Sequence, residues 1–197
     1  MCDYIELNLK NTKLLIANST PARYKQLCKS RYSVQLDMFE KYVDKNTPLL
    51  DIGIREGFFL EFLREQGFTD LYGIDIFEDG VKLAVDKGFN CEVGDAHKFN
   101  LNKKFDVVVI SHVLEHCPDP AEVIERIHEH LNTNGVLFVE TPKELGEPVP
   151  SKKDAHYYNF NSMDDLLYFF DAKWIILEHI VVGTRLRIVL KKRGENE

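Results

Sequence analysis

With 197 residues, 44% of them hydrophobic and 29% charged, the chain has enough apolar side chains to bury a sizeable core in one globular unit. Its 25 Lys and Arg against 32 Asp and Glu give a net charge of −7, which argues against a generic polyanion binder, so nucleic acid is not an expected partner. No stretch is long and apolar enough to span a bilayer, no basic-plus-apolar leader opens the chain, and Cys2, Cys28, Cys91 and Cys117 form no CxxC pair; the expectation is a cytoplasmic protein with free thiols and no membrane association.

Residues 1 to about 21 carry only the alternation Ile5, Leu7, Leu9 and read as a flexible or edge-packed arm. From Ala22 to Val43 apolar positions recur at helical spacing (Tyr24, Leu27, Cys28, Leu36, Phe39, Val43), and Thr47-Pro48 ends the segment because the residue before proline avoids helical geometry. Arg23, Lys25, Lys29 and Arg31 at its start read as a solvated helix face, with a substrate-facing basic patch as the alternative. Leu49 to Ile52 is a short apolar run suited to a buried parallel strand; Gly53 and Gly57 come next, then Phe58, Phe59, Phe62 and Leu63 at helical spacing. Strand, glycine turn, helix is the opening unit of a doubly wound α/β fold, whose helix N-terminus and bare amides face a ligand at the strand's carboxyl end. The spacing Gly53-x-x-x-Gly57 is neither the G-x-G-x-x-G of a dinucleotide site nor a phosphate loop ending in Gly-Lys-Ser/Thr.

Gly67 is placed as a helix C-cap, and Leu71 to Asp75 reads as the second strand. Asp75 lies roughly 20 residues past the glycine turn, where an acidic side chain holds ribose hydroxyls. A helix from Asp79 to Lys87, capped by Gly88, leads to a third strand over Phe89–Val93 and the turn Gly94-Asp95-Ala96. Phe105 to Ile110 is apolar on both faces and predicts a central fourth strand. Asp119 as N-cap, Pro120 at the first helical position and Glu122 at the third start a helix whose buried stripe is Val123, Ile124, Ile127 and Leu131. Asn134-Gly135 turns the chain into a fifth strand, Val136–Val139, ending in Glu140-Thr-Pro142. Lys143 to Lys153 reads as a loop, Ser162 to Asp165 as a capping box opening a helix through Phe170, and Lys173–Val182 with Arg185–Lys191 as a hairpin around Gly183-Thr184. Lys191, Lys192 and Arg193 then serve to protect an edge strand.

Asp51, Gly53 and Gly57 occupy fixed positions of the D/E-x-G-x-G-x-G motif, with Arg55 in place of its middle glycine; the fourth strand and the segments after it read F-D-x-V-x-x-x-x-V-L-E-H, D-P, N-x-G-x-L and E-T-P. In this order the segments resemble class I S-adenosylmethionine-dependent methyltransferases of the type with an L-E-H-x-x-D-P motif after the fourth strand, over about residues 30 to 190. The resemblance implies an α/β fold: a doubly wound seven-stranded sheet, mostly parallel with the last strand antiparallel, and helices on both faces. It implies one domain over 1–197, with an N-terminal arm and helix (1–46), a cofactor-binding core (47–142) and a substrate-side loop, helix and hairpin (143–197). S-adenosyl-L-methionine is the implied cofactor, its methionine end held by Asp51, Gly53 and Gly57, its ribose by Asp75, its adenine by Asp95 and Ala96, with Ile76 and Ser111 also among the implied cofactor-binding residues. Ile110, Ser111 and His112 are implied to face the sulfonium. Arg55 is expected to point outward or to pair with the methionine carboxylate.

The activity implied is O- or N-methylation of a small-molecule or glycan-type metabolite, with catalytic candidates His112, Glu115, His116 and His156. Alternatives are a metal-dependent RNA 2′-O-methyltransferase and a non-catalytic S-adenosylmethionine-binding domain. His112, Glu115 and His116 stand at i, i+3 and i+4, on one face if the segment is a helical turn, with His156 a distant fourth ligand. Small-RNA 3′-end 2′-O-methyltransferases use E-x-x-E-H and a later histidine for a metal; His112 in place of the first glutamate shifts such a site toward zinc. The simpler expectation is no metal, with His112 as an acid or base and Glu115 and His116 capping the turn before Pro118. The identity of the methyl acceptor and the oligomeric state carry no motif.

Overall fold

A computed structural model describes residues 5–10, 36–144 and 156–194. Strands β1 (Leu49–Ile52), β2 (Leu71–Asp75), β3 (Asn90–Val93), β4 (Phe105–Ser111), β5 (Leu131–Pro142), β6 (Trp174–Val182) and β7 (Arg185–Lys192) form one sheet in the order β3-β2-β1-β4-β5-β7-β6. Helices α1 (Phe58–Glu65), α2 (Glu78–Asp86), α3 (Pro120–His130) and α4 (Met163–Leu167) connect them, with a 3₁₀ turn at Leu114–His116. The pairs β3-β2, β2-β1, β1-β4 and β4-β5 are parallel; β7 runs antiparallel to both β5 and β6. This is the doubly wound, mostly parallel sheet implied by the sequence, with its single reversed strand in place.

Alternation along the central strands sends side chains to two cores. Leu50, Ile52, Val108 and Ile110 pack with Val123, Ile124 and Ile127 of α3 on one face. Leu49, Val107 and Val109 pack with Phe59, Leu60 and Leu63 of α1 and Val81 and Ala84 of α2 on the other. Every residue of β1 is buried, as both-face coverage of a parallel sheet demands. The helix signals are met at α3, where the Asp119 carboxylate accepts from the Ala121 and Glu122 amides at 3.0 and 3.1 Å. They are met again at α4, where Ser162 and Asp165 form a reciprocal capping box.

Several local expectations are corrected. In place of a flexible or edge-packed arm, residues 5–10 are helical, and the Asn8 amide reaches the His116 carbonyl at 3.4 Å. Of the 22–43 helix, the described helical part is 36–39; it gives way to a turn well before Thr47-Pro48, and Arg23, Lys25, Lys29 and Arg31 lie outside the described residues. The loop of Lys143 to Lys153 is described only at 143 and 144. Strand β5 begins already at Leu131, because Leu131 pairs with Phe105 before the register shifts to Val107 with Val136. Helix α4 stops at Leu167, short of Phe170.

The C-terminal lysines do not guard an edge. Strand β7 is interior, between β5 and β6, and Lys192 instead donates to the carbonyls of His128 and Leu131 at 2.7 and 2.8 Å, closing the end of α3. Arg193 likewise donates to the Ala172 carbonyl at 2.8 Å. Lys192→Met should therefore lower stability by about 1.5–3 kcal/mol, the range for hydrogen bonds from a charged group. An unchanged urea midpoint in that variant would show that water satisfies those carbonyls equally well.

Candidate functional site

The turn after β1 passes three times through left-handed backbone: φ is 87° at Gly53, 50° at Arg55 and 74° at Gly57. The motif's middle position thus keeps its glycine-like conformation although the side chain is arginine, at a steric cost that L-residues bear outside glycine. Asp75, at the end of β2, holds the turn. Its carboxylate accepts from the Arg55 amide at 2.7 Å and the Phe77 amide at 2.8 Å, fastening the β1–α1 and β2–α2 turns together. The Gly53 and Ile54 amides bond the Ile74 carbonyl at 2.9 and 3.3 Å, and the Gly57 amide bonds the Ile54 carbonyl at 2.8 Å. The amides of Gly53, Ile54, Arg55 and Gly57 are therefore engaged within the turn rather than bare toward a ligand. The glycines answer local crowding: a Cβ on Gly53 would lie 2.2 Å from Val113 Cγ2, and one on Gly57 3.0 Å from the Ala84 Cβ. Arg55 neither projects freely outward nor stands alone; it is half-buried, with Nε 3.5 Å from Glu56 Oε2.

Asp51 is buried beside this turn, and its carboxyl is pushed up to about 8, first by burial and then by the negative charge of Asp75. Asp75 is itself pushed up by burial, against the lowering effect of its two backbone donors. Two neighbouring buried carboxyls that resist ionisation form a site that a cation would relieve. Ile76 is half-buried at the β2 end. Asp95 is turned onto its own loop, its Oδ1 meeting the His97 amide and ring Nδ1 at 3.0 Å each, with Ala96 buried next to it.

At the end of β4, Ser111 lies opposite Glu140 of β5, and Glu140 opposite Arg187 of β7. Glu140 is buried and carries the local charge balance: Arg187 Nε donates to its Oε2, Arg185 Nε stands 3.9 Å from its Oε1, and His112 Nε2 is 3.0 Å from Oε1. Burial would raise the Glu140 carboxyl, but the His112 hydrogen bond and the Arg187 charge outweigh it and hold the group at about 2. His112, at φ 55°, points its other nitrogen at Glu115, with Nδ1 3.3 Å from Oε1. Burial opposes ionisation of Glu115 too, and again His112, then His116, pulls it below the ordinary carboxylate range. With an ionised carboxylate against each ring nitrogen, an imidazolium satisfies both contacts, whereas a neutral ring leaves a lone pair facing an anion. His112 is thus held by a carboxylate at each ring nitrogen.

The four histidine and glutamate candidates divide. Glu115, His116 and His156 bring ligand-type atoms within 4.8 Å of one another, and the rings of His116 and His156 meet edge to face at 4.7 Å. His112 stands outside that trio, engaged by its two carboxylates. Among the described residues Glu115 Oε2 is buried with no hydrogen-bond partner, and His156 Nδ1 bonds the Glu144 carboxylate. The buried pair of Glu140 and Arg187 at this end of the sheet is a feature that sequence reasoning misses. A signal exists in the alternation Arg185-Leu-Arg187-Ile, which puts two arginines on one strand face, but only the pairing of β7 with β5 says what they meet.

Two consequences are measurable. Arg55→Gly should stay within about 1 kcal/mol of the parent, relief of the left-handed strain offsetting the added freedom of the unfolded chain. Arg55→Val should cost more, since a branched side chain at positive φ is a steric outlier; equal urea midpoints for the two would show that the turn is not strained. Stability should also respond to pH in two opposite windows. Glu140, held at about 2 from 4.5, contributes stability that is complete above about 4.5 and lost as pH falls toward 2. Asp51, raised from 3.8 to about 8, binds a proton that the unfolded chain releases, so its contribution is complete below about 4 and lost as pH rises to about 8. Urea midpoints against pH should show Glu140→Gln flattening the acid limb and Asp51→Asn the limb from about 4 to about 8; parallel curves for parent and variant would refute the assignment.

Comparison with known proteins places this geometry. Residues 23–176 match a family model described as a methyltransferase domain. A ubiquinone biosynthesis O-methyltransferase of Pseudomonas aeruginosa is 33% identical over 103 residues, 47% of this chain and 43% of that protein. The same-named enzyme of Hydrogenovibrio crunogenus is 28% identical over 105 residues, 49% of this chain and 43% of that protein. The matched stretch thus covers less than half the length of these relatives. Among solved structures, a protein of Pyrococcus horikoshii OT3 superposes with a TM-score of 0.69 at 20% identity, covering 89% of this chain and 93% of that one. The N-methyltransferase NodS of Bradyrhizobium japonicum WM9, solved with S-adenosyl-L-homocysteine, gives 0.61 at 16% identity, covering 75% and 79%. At such identities the structural likeness speaks for the fold, and the family model, matching well over half the chain, for the rest: the chain belongs to the methyltransferase-domain family, of the class I S-adenosylmethionine-dependent kind.

Proposed function

We propose that this domain transfers the methyl group of S-adenosylmethionine to a small-molecule acceptor bound on the β4-β5-β7 side of the cofactor, in the manner of the methyltransferases whose L-E-H-x-x-D-P segment it resembles. The observation that carries the reading is the pair of buried carboxyls, Asp51 and Asp75, beside the glycine turn after β1, with Asp75 bonded to the Arg55 amide of that turn. Asp51, Gly53 and Gly57 would take the methionine end, Asp75 and Ile76 the ribose, Asp95 and Ala96 the adenine. S-adenosylmethionine supplies an electrophilic methyl, so the protein's task is chiefly alignment of the acceptor with it. Within the single domain, residues 47–142 would hold the cofactor, and Ser111 and His112, with segments from 143–197, would define the acceptor side.

Glu115, His116 and His156 support a second reading, a divalent metal at the acceptor. A buried unpartnered carboxylate oxygen and two facing imidazoles fit the donor set of zinc, and the Glu144 bond to His156 is the carboxylate–histidine pairing that orients metal-binding rings. Such an ion would polarise an acceptor hydroxyl.

Calorimetry with S-adenosylmethionine tests the first reading: binding is expected, and no heat at high protein concentration would overturn it. Asp75→Ala should weaken that binding by about 1.5–3 kcal/mol, and it should also loosen the turn that Asp75 fastens. Unchanged affinity in a folded variant would remove Asp75 from the ribose role. For the metal, one bound ion per chain by elemental analysis, lost in His156→Ala, is the expected result; a chelator-indifferent protein with no ion ends that reading.

A further inference from the structure

Three aspartates mark the carboxyl edge of the parallel strands: Asp51 in β1, Asp75 at the end of β2, and Asp95 just past the end of β3. The third is tied to the second, because the Gly94 amide bonds the Asp75 carbonyl at 2.9 Å. This edge of a doubly wound sheet is where ligands bind. The turn that follows closes on Asp95, whose carbonyl accepts from the Lys98 and Phe99 amides at 2.9 and 2.8 Å. His97 grips the side chain of the same residue twice: its backbone amide and its ring Nδ1 both reach Asp95 Oδ1 at 3.0 Å.

The ring contact is more than the turn needs. An aspartate closes such a turn with the amide two residues on, a bond that any residue but proline supplies at 97. The imidazole adds a second donor from a side chain only 6% exposed, while the Asp95 side chain keeps 15%. An ionised carboxylate only accepts, so Nδ1 carries the ring proton. Two donors on one oxygen favour the charged form and fix the plane of the carboxyl. Oδ2 is thereby presented in a set direction, as an atom that welcomes an N–H and repels a lone pair.

Resting on the S-adenosylmethionine reading, in which Asp95 meets the adenine, we infer that His97 is the positioning residue that makes this site select a base carrying an amino group. Oδ2 accepts an N–H of the adenine amino group while Oδ1 stays with His97. Hypoxanthine carries a carbonyl oxygen at that position, and it would face the carboxylate as a second acceptor. The carboxyl can admit it only by binding a proton or by swinging aside, and either move weakens the two His97 contacts. The preference is thus set by a ring that acts through Asp95.

Titration of the full chain with S-adenosylhomocysteine and with its deaminated analogue, S-inosylhomocysteine, reads the preference directly. The parent should bind the adenosyl ligand about tenfold or more tightly, the least that one hydrogen bond to a charged group confers. His97→Phe keeps a ring and the backbone amide but removes the ring donor, and the preference should shrink to within about twofold. His97→Asn returns an N–H at the reach of Nδ1 and should restore it; equal losses in the two variants overturn the donor's part. A purely structural ring would move both ligands in proportion, so an unchanged preference in folded His97→Phe overturns the positioning role alone. Nitrogen NMR of the parent gives a check that needs no folded variant: the His97 ring should be protonated on Nδ1, and a bare Nδ1 overturns the inference. A parent that binds both ligands equally removes Asp95 from base recognition, and His97 with it. A parent that binds neither overturns the S-adenosylmethionine reading itself.

Discussion

The carboxylate of Asp75 is the fastening on which the cofactor end of this fold depends. It sits at the last residue of β2 and reaches two backbone amides, Arg55 in the turn after β1 and Phe77 in the turn after β2. Helices α1 and α2 are thereby aimed by one buried side chain, and the β1 turn is held in its threefold left-handed path. A carboxylate serves where a neutral acceptor would be weaker, since charged acceptors make the stronger bonds to backbone N–H groups. The same burial makes Asp75 and Asp51 reluctant anions, so the side chain that stabilises the turn also prepares a place for positive charge.

That double use explains why sequence reading finds the residues but misjudges part of their work. Asp51, Gly53, Gly57 and Asp75 are legible because spacing and residue type are enough to find a strand, a glycine turn and an acid at the next strand's end. Spacing does not say which amides remain available, and here those of residues 53, 54, 55 and 57 are consumed by Ile74, Asp75 and Ile54. Arg55 shows the converse. The motif asks for glycine, and the structure supplies the glycine backbone conformation with an arginine, because the surrounding bonds fix the turn whatever stands there.

The central strands and capped helices are legible for ordinary reasons: continuous apolar runs, an Asp-Pro start, a Ser-x-x-Asp box. The C-terminal hairpin is legible as a hairpin but not in its placement. Basic residues at its end suggest an exposed edge, yet insertion of β7 between β5 and β6 turns Lys192 to the end of α3 and Arg187 onto Glu140. Strand order is a tertiary property, and a single reversed strand changes the neighbours of every side chain on it.

The reversed strand matters most at Glu140. In a wholly parallel sheet the strand beside β5 would present its own carboxyl end there; run backwards, β7 instead presents its beginning, Arg185 and Arg187, opposite Pro142 and Glu140 at the end of β5. The ion pair so formed is buried, a geometry that stabilises only weakly against an apolar alternative but penalises loss of either partner by about 3–5 kcal/mol. It also reaches back to β4 through His112, whose positive φ and two carboxylate contacts fix the ring between β5 and the 3₁₀ turn. Antiparallel closure of the sheet thus does electrostatic as well as architectural service: it carries the guanidinium groups of Arg185 and Arg187 to the buried carboxylate of Glu140.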